Sequence, residues 1–252
     1  MTSNRREMIQ QILRESGEVS LKTLATLFPD VSTMTLRRDL AFLEEQGVLI
    51  RTRGGAVSMQ RLKMSEEDEY VKRATVNSEP KLIIARKAAQ LAEPGRSLYL
   101  DSGTTIMSMA KALSDQNYSI ITSGPNIALE LARKLHPTIT LAGGVLNRST
   151  LSSSGQPALD VINRINIDIA FMGTSGFSLA NGFTSGSFAE CEVKHAAIQK
   201  ARRVVFLMDR SKLDRTLPYT FANLQDVDTL VTDAPLPAEI AEAARQAGVK
   251  VI

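Results

Sequence analysis

The chain has four arginines near its start whose spacing suits contact with a nucleic acid: Arg37, Arg38, Arg51 and Arg53. The first pair lies in a segment with helical apolar periodicity, and the second pair lies beside the glycines at 54–55. A helix can enter a DNA groove while a basic glycine hairpin lies along the neighbouring phosphate backbone. The combination predicts DNA binding, whereas an isolated arginine pair would more often be a solvated helix face.

Three short helices and a two-stranded hairpin are predicted to position these arginines. Apolar residues at helical spacing predict a first helix and a second helix with Ser20 as its N-cap. Ser32 is a candidate N-cap of the third helix, which should end at Gly47. Residues 48–52 and 56–59 can pair as the hairpin.

The start of the third helix and the tip of the hairpin carry the side chains that we expect to contact DNA. An exposed carboxylate would repel phosphate, so we expect Asp39 to turn inward and pair with an arginine or with backbone amides. The predicted DNA-binding residues are Ser32, Thr33, Met34, Thr35, Arg37, Arg38, Arg51, Arg53, Gly54 and Gly55.

The larger part of the chain alternates apolar, strand-like runs with helical patterns. The candidate strands are Ser97–Leu100, Tyr118–Ile121, Thr138–Leu141, Asp168–Met172, Arg203–Met208, Thr229–Val231 and Val249–Ile252. The candidate helices are Lys81–Leu91, Ile106–Leu113, Ile127–Leu135, Ala158–Arg164, Glu190–Ala201 and Ala238–Ala247. This alternation predicts an α/β domain with a mostly parallel sheet that is covered on both faces.

Small and hydroxylated residues follow several of these strands, where ligands of α/β sheets bind. Thr104 and Thr105 fall where a helix would begin, and the amides of that turn suit a phosphate. Asp101 would accept hydrogen bonds from sugar hydroxyls, and Lys194 and Lys212 would balance the anion. Each loop alone could be turn chemistry, with Asp101 a helix cap and Lys212 a solvated residue. The predicted effector-binding residues are Asp101, Ser102, Gly103, Thr104, Thr105, Thr122, Ser123, Gly143, Gly144, Thr174, Gly176, Lys194 and Lys212.

The bulk composition is that of an ordinary globular protein with two domains. The 252 residues are 43% hydrophobic and 23% charged, and the net charge of +3 is too small to indicate nucleic-acid binding by itself. One cysteine and two histidines cannot supply a thiolate–imidazole zinc site, so we expect no metal and no cofactor. No apolar run reaches the ~18 residues of a membrane span and the polar start lacks a secretory core, so we expect a cytoplasmic protein. The predicted organisation is a domain at 1–57, a linker at 58–78 and a domain at 79–252.

Two long motifs resemble those of a known family. The segment 31–40, Val-Ser-x-x-Thr-Leu-Arg-Arg-Asp-Leu, and residues 51–56 resemble the N-terminal domain of the DeoR family of bacterial transcriptional regulators. The Asp-Ser-Gly-Thr-Thr stretch at 101–105 and the Asp-Arg-Ser-Lys stretch at 209–212 resemble the effector domain of the same family.

The resemblance implies a winged helix-turn-helix domain, followed by a domain of the ribose-5-phosphate isomerase/CoA-transferase superfold. It also implies a homo-oligomeric regulator, usually a repressor, that binds double-stranded operator DNA and responds to a phosphorylated sugar. Two positions depart from the family pattern: Arg53 stands where histidine is common, and Thr122-Ser123-Gly124 replaces a common Thr-Asn-Ser. The second departure leaves the identity of the effector open.

The alternative is a sugar-phosphate isomerase with an attached DNA-binding head. Such chemistry needs a positioned base and a group that stabilises an enediolate, and the candidates are Asp101, Glu190, Glu192 and Lys194. Glu190 and Glu192 lie two residues apart on a predicted helix, so they point to different faces. We therefore predict a regulator with no catalytic residue.

Overall fold

The computed structural model describes residues 2–52, 54–58 and 69–252. The chain falls into two compact units, Met1–Glu66 and Glu67–Ile252, which we call the head and the body. Arg53 and residues 59–68 of the predicted linker lie outside the described residues.

Helices and a small antiparallel sheet build the head around one apolar core. In chain order the described elements are α1 (Thr2–Ser16), β1 (Glu18–Ser20), α2 (Leu21–Leu27), α3 (Thr33–Glu45), β2 (Leu49–Thr52) and β3 (Gly55–Ser58). Ser20 and Ser32 cap α2 and α3 as predicted, because each hydroxyl accepts a hydrogen bond from the amide three residues later. Gly47 follows α3 with a φ of +67°, the left-handed conformation that favours glycine. Every one of these elements contributes at least one residue to the core: Ile9, Leu13, Val19, Leu24, Leu36, Leu40, Leu43, Leu49 and Ala56.

The body begins with two helices and then alternates strands with helices. Its described elements are α4 (Tyr70–Thr75), α5 (Ser78–Ala89), β4 (Ser97–Leu100), α6 (Thr104–Ala112), β5 (Ser119–Thr122), α7 (Pro125–Leu131), β6 (Thr138–Leu141), β7 (Val145–Asn147), β8 (Ser152–Ser154), α8 (Gln156–Asn163), β9 (Ile167–Gly173), β10 (Gly176–Ser178), β11 (Gly182–Ser185), α9 (Phe188–Lys200), β12 (Ala201–Leu207), β13 (Tyr219–Ala222), β14 (Thr229–Val231), α10 (Ala238–Gln246) and β15 (Lys250–Val251). Two short 3₁₀ turns lie at Arg210–Lys212 and Leu224–Asp226.

A seven-stranded sheet forms the centre of the body, and its strands pair in parallel. The strand order is β15-β14-β12-β9-β4-β5-β6. The chain starts at β4 and moves outward to β6, returns to β9 beside β4, and then moves outward in the other direction. The strand order therefore reverses between β4 and β9, which opens a crevice at their carboxyl ends, where ligands of such sheets bind.

Helices cover both faces of this sheet, as the apolar strands predicted. One buried cluster joins Leu98 and Leu100 of β4 to apolar residues of α5, α6 and α7. The other joins Tyr99, between them, to apolar residues of α8, α9 and α10. All seven predicted strands are found in the sheet, with ends that differ by at most two residues. The predicted fold class, a winged helix-turn-helix domain followed by a mostly parallel α/β domain, is confirmed.

Two smaller antiparallel sheets were not predicted from the sequence. One pairs β7 with β8, and the other has the order β10-β11-β13. Strand β8 consists of three buried serines, which give no apolar signal because hydroxyl hydrogen bonds fix them instead. Among the described residues, no helix is both long enough and apolar enough to cross a bilayer.

Candidate functional site

The first turns of α3 present the predicted DNA-binding residues on the surface of the head. Thr33, Arg37 and Arg38 are exposed, and Met34 is 64% exposed. The cap residue Ser32 is also exposed, and its hydroxyl accepts the amide of residue 35 at 3.2 Å. An exposed apolar methionine one turn before two arginines can contact the apolar groups of a DNA groove.

The inward orientation predicted for Asp39 is confirmed. This carboxylate is 1% exposed, and its two oxygens accept from Arg5 Nε at 2.6 Å and from Arg6 Nε at 2.7 Å. The Arg6 guanidinium also lies 3.8 Å from the centroid of the Phe42 ring. Asp39 therefore joins α1 to α3 and fixes the angle at which α3 presents its exposed face.

The hairpin is built as predicted, but its glycines serve different roles. Gly54 is exposed, whereas Gly55 is buried in β3, and a Cβ there would lie 2.0 Å from the carbonyl oxygen of Val19. Gly55 therefore permits close packing against β1, and its predicted role as a DNA-contact residue is replaced by this packing role. Arg51 is exposed and donates to Glu44 through its amide at 2.9 Å and its Nε at 2.6 Å. The hydrogen bond from the Arg51 amide, and after it the one from the Arg51 side chain, hold the pKa of Glu44 below its ordinary value.

A cleft lies in the body at the carboxyl ends of β4 and β9, where the strand order reverses. Its space, which is open to solvent, amounts to about 480 Å³. Its lining residues are Arg73, Ser102, Gly103, Thr104, Thr105, Ile106, Thr150, Gly173, Thr174, Ser175, Glu190, Lys194 and Lys212. Seven of the predicted effector-binding residues are in this set: Ser102, Gly103, Thr104, Thr105, Thr174, Lys194 and Lys212.

Part of the cleft lining is suited to an anion. Helix α6 begins there without a side-chain cap, so the amides of its first turn are available to a ligand. Gly103 precedes the helix with a φ of +129°, a conformation that L side chains rarely adopt. The cationic side chains of Arg73 and Lys212 line the same cleft. Helix amides and cations together form a typical phosphate-binding arrangement.

The cleft also holds a buried carboxylate, Glu190, which the sequence suggested only as a candidate base. Glu190 is 5% exposed, and its Oε1 accepts hydrogen bonds from the hydroxyls of Thr150 and Ser152. It lies in the first turn of α9, whose N-cap hydroxyl, on Ser187, accepts from the Glu190 amide at 3.4 Å. A carboxylate that is held in this way can accept hydrogen bonds from the hydroxyls of a polyol.

Asp101 was predicted to accept hydrogen bonds from a sugar, and the structure corrects this role. Asp101 is 1% exposed, and one of its oxygens accepts from Lys194 Nζ and, at 2.9 Å, from the Gly173 amide. Lys194 also donates to the Gly173 carbonyl at 3.1 Å. The pair ties the ends of β4 and β9 to α9, so Asp101 positions the cleft rather than lining it. It borders a smaller inner recess that Ser123 also lines.

The remaining predicted effector residues support the loops around the cleft. Thr122 is fully buried, and its hydroxyl accepts the amide of Gly124 at 3.0 Å. A Cβ on Gly144 would lie 2.2 Å from the Ser154 carbonyl oxygen, and one on Gly176 would lie 2.2 Å from a backbone oxygen. These glycines are required by packing, and neither they nor Gly143 line the cleft.

Several lining residues were missed: Arg73, Ile106, Thr150, Gly173 and Ser175, together with Glu190 in its binding role. Arg73 and Thr150 lie in segments that the sequence did not place near the strand ends, whereas Ile106, Gly173 and Ser175 adjoin predicted residues of the same loops. Elsewhere in the described chain, Cys191 is buried as expected, and no group of three or more His, Cys, Asp or Glu side chains could hold a metal ion.

Both units match known families. The DeoR-like helix-turn-helix domain matches residues 5–61, and the DeoR C terminal sensor domain matches residues 76–234. The chain is 32% identical over 253 residues to the HTH-type transcriptional regulator GlpR of Haloferax volcanii, covering 100% of this chain and 98% of that protein. It is 32% identical over 239 residues to the glycerol-3-phosphate regulon repressor of Escherichia coli K12, covering 94% and 93%.

The body also has a distant likeness to ribose 5-phosphate isomerase A of Methanocaldococcus jannaschii, with a TM-score of 0.41 and 17% identity over 55% of this chain and 56% of that one. The family matches are far more extensive. They cover both units, and the relatives align over almost their whole length. The chain therefore belongs to the DeoR family of transcriptional regulators.

Proposed function

We propose that this protein is a DNA-binding repressor of a carbohydrate-catabolism operon and that a phosphorylated sugar in the body controls its affinity for the operator. The observation that carries the proposal is the mixed lining of the cleft. Helix amides with Arg73 and Lys212 suit a phosphate, while the Glu190 carboxylate suits hydroxyl groups. A ligand that carries both a phosphate and hydroxyl groups would satisfy both kinds of lining residue. The E. coli relative is named for glycerol 3-phosphate, which has this chemistry.

The exposed face of α3 is proposed to read the operator. Arg37 and Arg38 can donate to base edges or phosphates in the major groove. The hairpin would lie on the adjacent backbone through Arg51, and Arg53 is proposed to act there too. Repression is then relieved if the ligand binds the DNA-incompetent arrangement more tightly than the competent one.

A homo-oligomer is proposed because two heads could then read two half-sites of one operator. The edge of the body at β6 carries exposed aliphatic side chains that could be buried between copies, among them Leu129 at 73%, Leu141 at 44% and Val145 at 72% exposure. Light scattering of the purified full chain measures this directly, and a monomer at micromolar concentration would contradict it. A repressor acts where the DNA is, so we infer a cytoplasmic location.

Fluorescence anisotropy measures binding to DNA duplexes taken from the region upstream of the protein's own gene. Isothermal titration calorimetry measures binding of inorganic phosphate, glycerol 3-phosphate and hexose 6-phosphates. We expect tight duplex binding that one organic phosphate relieves. Lys212→Met should weaken the binding of every phosphate in the panel, including inorganic phosphate. Glu190→Gln should weaken only the hydroxylated ligand, roughly tenfold, because one charged hydrogen-bond acceptor is lost.

Lys111→Met is the matched control, because Lys111 is exposed on α6 but does not line the cleft. It should bind all ligands as the unmodified protein does. Two results would contradict the proposal: no duplex binding at low ionic strength, or no phosphate in the panel that binds. Sustained turnover of pentose or hexose phosphates would favour the isomerase alternative.

A further inference from the structure

Arg73 reaches the cleft from an element that lies outside the sheet. It belongs to α4, the first described helix of the body, and only residues 59–69 separate α4 from the last strand of the head. Arg73 is half-buried and lines the cleft with Thr104, Thr105 and Lys212. The helix nearest in sequence to the head therefore contributes a cation to the candidate ligand site.

One backbone and one side-chain hydrogen bond, the second from a residue just beyond the end of α4, hold this helix against the loops that form the cleft. The amide of Tyr70 donates to the Ser149 carbonyl at 2.6 Å, one residue before Thr150 of the lining. At the other end of α4, the side-chain amide of Asn77 donates to Ser211 Oγ at 2.9 Å, one residue before Lys212. The position of α4 is thus linked directly to the two loops that any ligand in the cleft would touch.

Lys81 binds the C-terminal end of α4 through hydrogen bonds. It is 4% exposed, and its Nζ donates to the carbonyl of Arg73 and, at 2.6 Å, to that of Val76. Burial, together with the positive charges of Lys212 and Arg73, lowers the pKa of Lys81 to about 8, although Asp209 acts in the opposite direction. Lys81 therefore lies within electrostatic reach of the Arg73 and Lys212 cations and of the Asp209 carboxylate.

A bound anion would add a contact to α4. A phosphate between Lys212 and Arg73 would accept two charge-assisted hydrogen bonds, one of them from α4 itself. Because the docked position of α4 would then be favoured by ligand contacts, occupancy of the cleft would restrict the segment that leads to the head. A ligand can shift an equilibrium only through such differential contacts.

We propose that Arg73 is a ligand-binding residue and that α4 is the element through which the cleft controls the head. The inference rests on the proposed function, since it names the regulation of the same site. Ligand binding fixes α4 against the body, and this fixed segment restricts the arrangements of the head that can engage DNA.

The experiment compares the full-length protein with Arg73→Met and with Lys72→Met. The second variant is a matched control, because it removes the same charge from the same helix at an exposed residue that does not line the cleft. Inorganic phosphate is the probe, and its affinity is measured by titration calorimetry. Hydrogen exchange of the Tyr70–Thr75 amides is measured with and without phosphate, and circular dichroism checks the fold.

We expect Arg73→Met to lower the affinity for phosphate roughly ten- to hundredfold, the usual effect of losing a charged hydrogen bond. Lys72→Met should change this affinity less than about threefold. Phosphate should slow exchange of the α4 amides in the unmodified protein and in Lys72→Met but not in Arg73→Met. Arg73→Lys should restore part of the affinity.

Two results overturn this inference while leaving the proposed function intact. One is an Arg73→Met protein that binds phosphate as tightly as the unmodified protein while Lys212→Met does not. The other is exchange in α4 that phosphate leaves unchanged although phosphate binds. If neither phosphate nor any sugar phosphate binds the unmodified protein, the proposed function and this inference both fail.

Discussion

Three buried carboxylates have three different roles in this protein, and each role follows from the partners of the carboxylate. Asp39 binds two arginines and joins two helices of the head. Asp101 binds Lys194 and positions the cleft. Glu190 is held by hydroxyls and faces the cleft. The sequence predicted the first role because a carboxylate beside DNA-binding arginines must turn away from phosphate. It could not separate the other two, because the partner lysine lies 93 positions away in the chain.

At the residue scale, Asp39→Asn should destabilise the head by about 3 kcal/mol, because two arginines would lose a buried counter-charge. Operator affinity should fall as well, since α3 would no longer be fixed against α1. Urea unfolding of the full chain, followed by amide exchange in the head, measures the first effect. Glu44→Gln is the control, because it breaks an exposed carboxylate–arginine pair in the same unit and should cost much less. Equal losses in the two variants would contradict the prediction.

At the scale of elements, the sequence predicted the parts that carry continuous apolar patterns. All seven strands of the main sheet, the helix that precedes them and the five helices between them follow from such patterns. Strand β8 did not, because its serines are fixed by hydrogen bonds to Ala142 and Glu190 rather than by apolar contacts. Helix α4 is six residues long and follows an acidic run, so no periodicity could reveal it. The missed elements supply Arg73 and the strand beside Thr150, so these two parts of the cleft lining were not predicted.

The hydrogen bonds from Lys81 to the carbonyls of Arg73 and Val76 give a pH prediction at this scale. The pKa of Lys81 is about 8 in the folded protein, below its ordinary 10.5. Between these values the unfolded chain binds more protons than the folded protein, so this residue's contribution to stability rises with pH from 8 towards 10.5. The difference in unfolding free energy between the unmodified protein and Lys81→Met should therefore grow over this range, by roughly 3 kcal/mol at most.

Denaturant titrations at several pH values measure this difference. Lys111→Met provides the comparison, because its lysine is exposed and should give a difference that does not change with pH. A flat difference for Lys81→Met would show that the lysine is not held as described.

At the scale of the whole molecule, the coupling between cleft and operator must be reciprocal. If a sugar phosphate lowers operator affinity by some factor, saturating operator must lower the affinity for that sugar phosphate by the same factor. Couplings of this kind are typically about 5- to 150-fold. Titration of the ligand with and without a duplex of the operator measures both sides. If a ligand releases DNA but binds equally tightly with and without the duplex, the cleft and the operator site are not coupled as described.

The charge balance of the cleft has a consequence for ligand selection. Among its described lining residues, Arg73, Lys194 and Lys212 are cationic and Glu190 is anionic, and Lys194 is already paired with Asp101. The cations and the start of α6 can therefore neutralise one phosphate group. A second phosphate on the same sugar would have to lie towards the Glu190 carboxylate, where like charges repel. If the proposed function holds, we expect the site to prefer monophosphates to bisphosphates, so that the protein would respond to the first phosphorylated product of a catabolic route rather than to the product of a second phosphorylation.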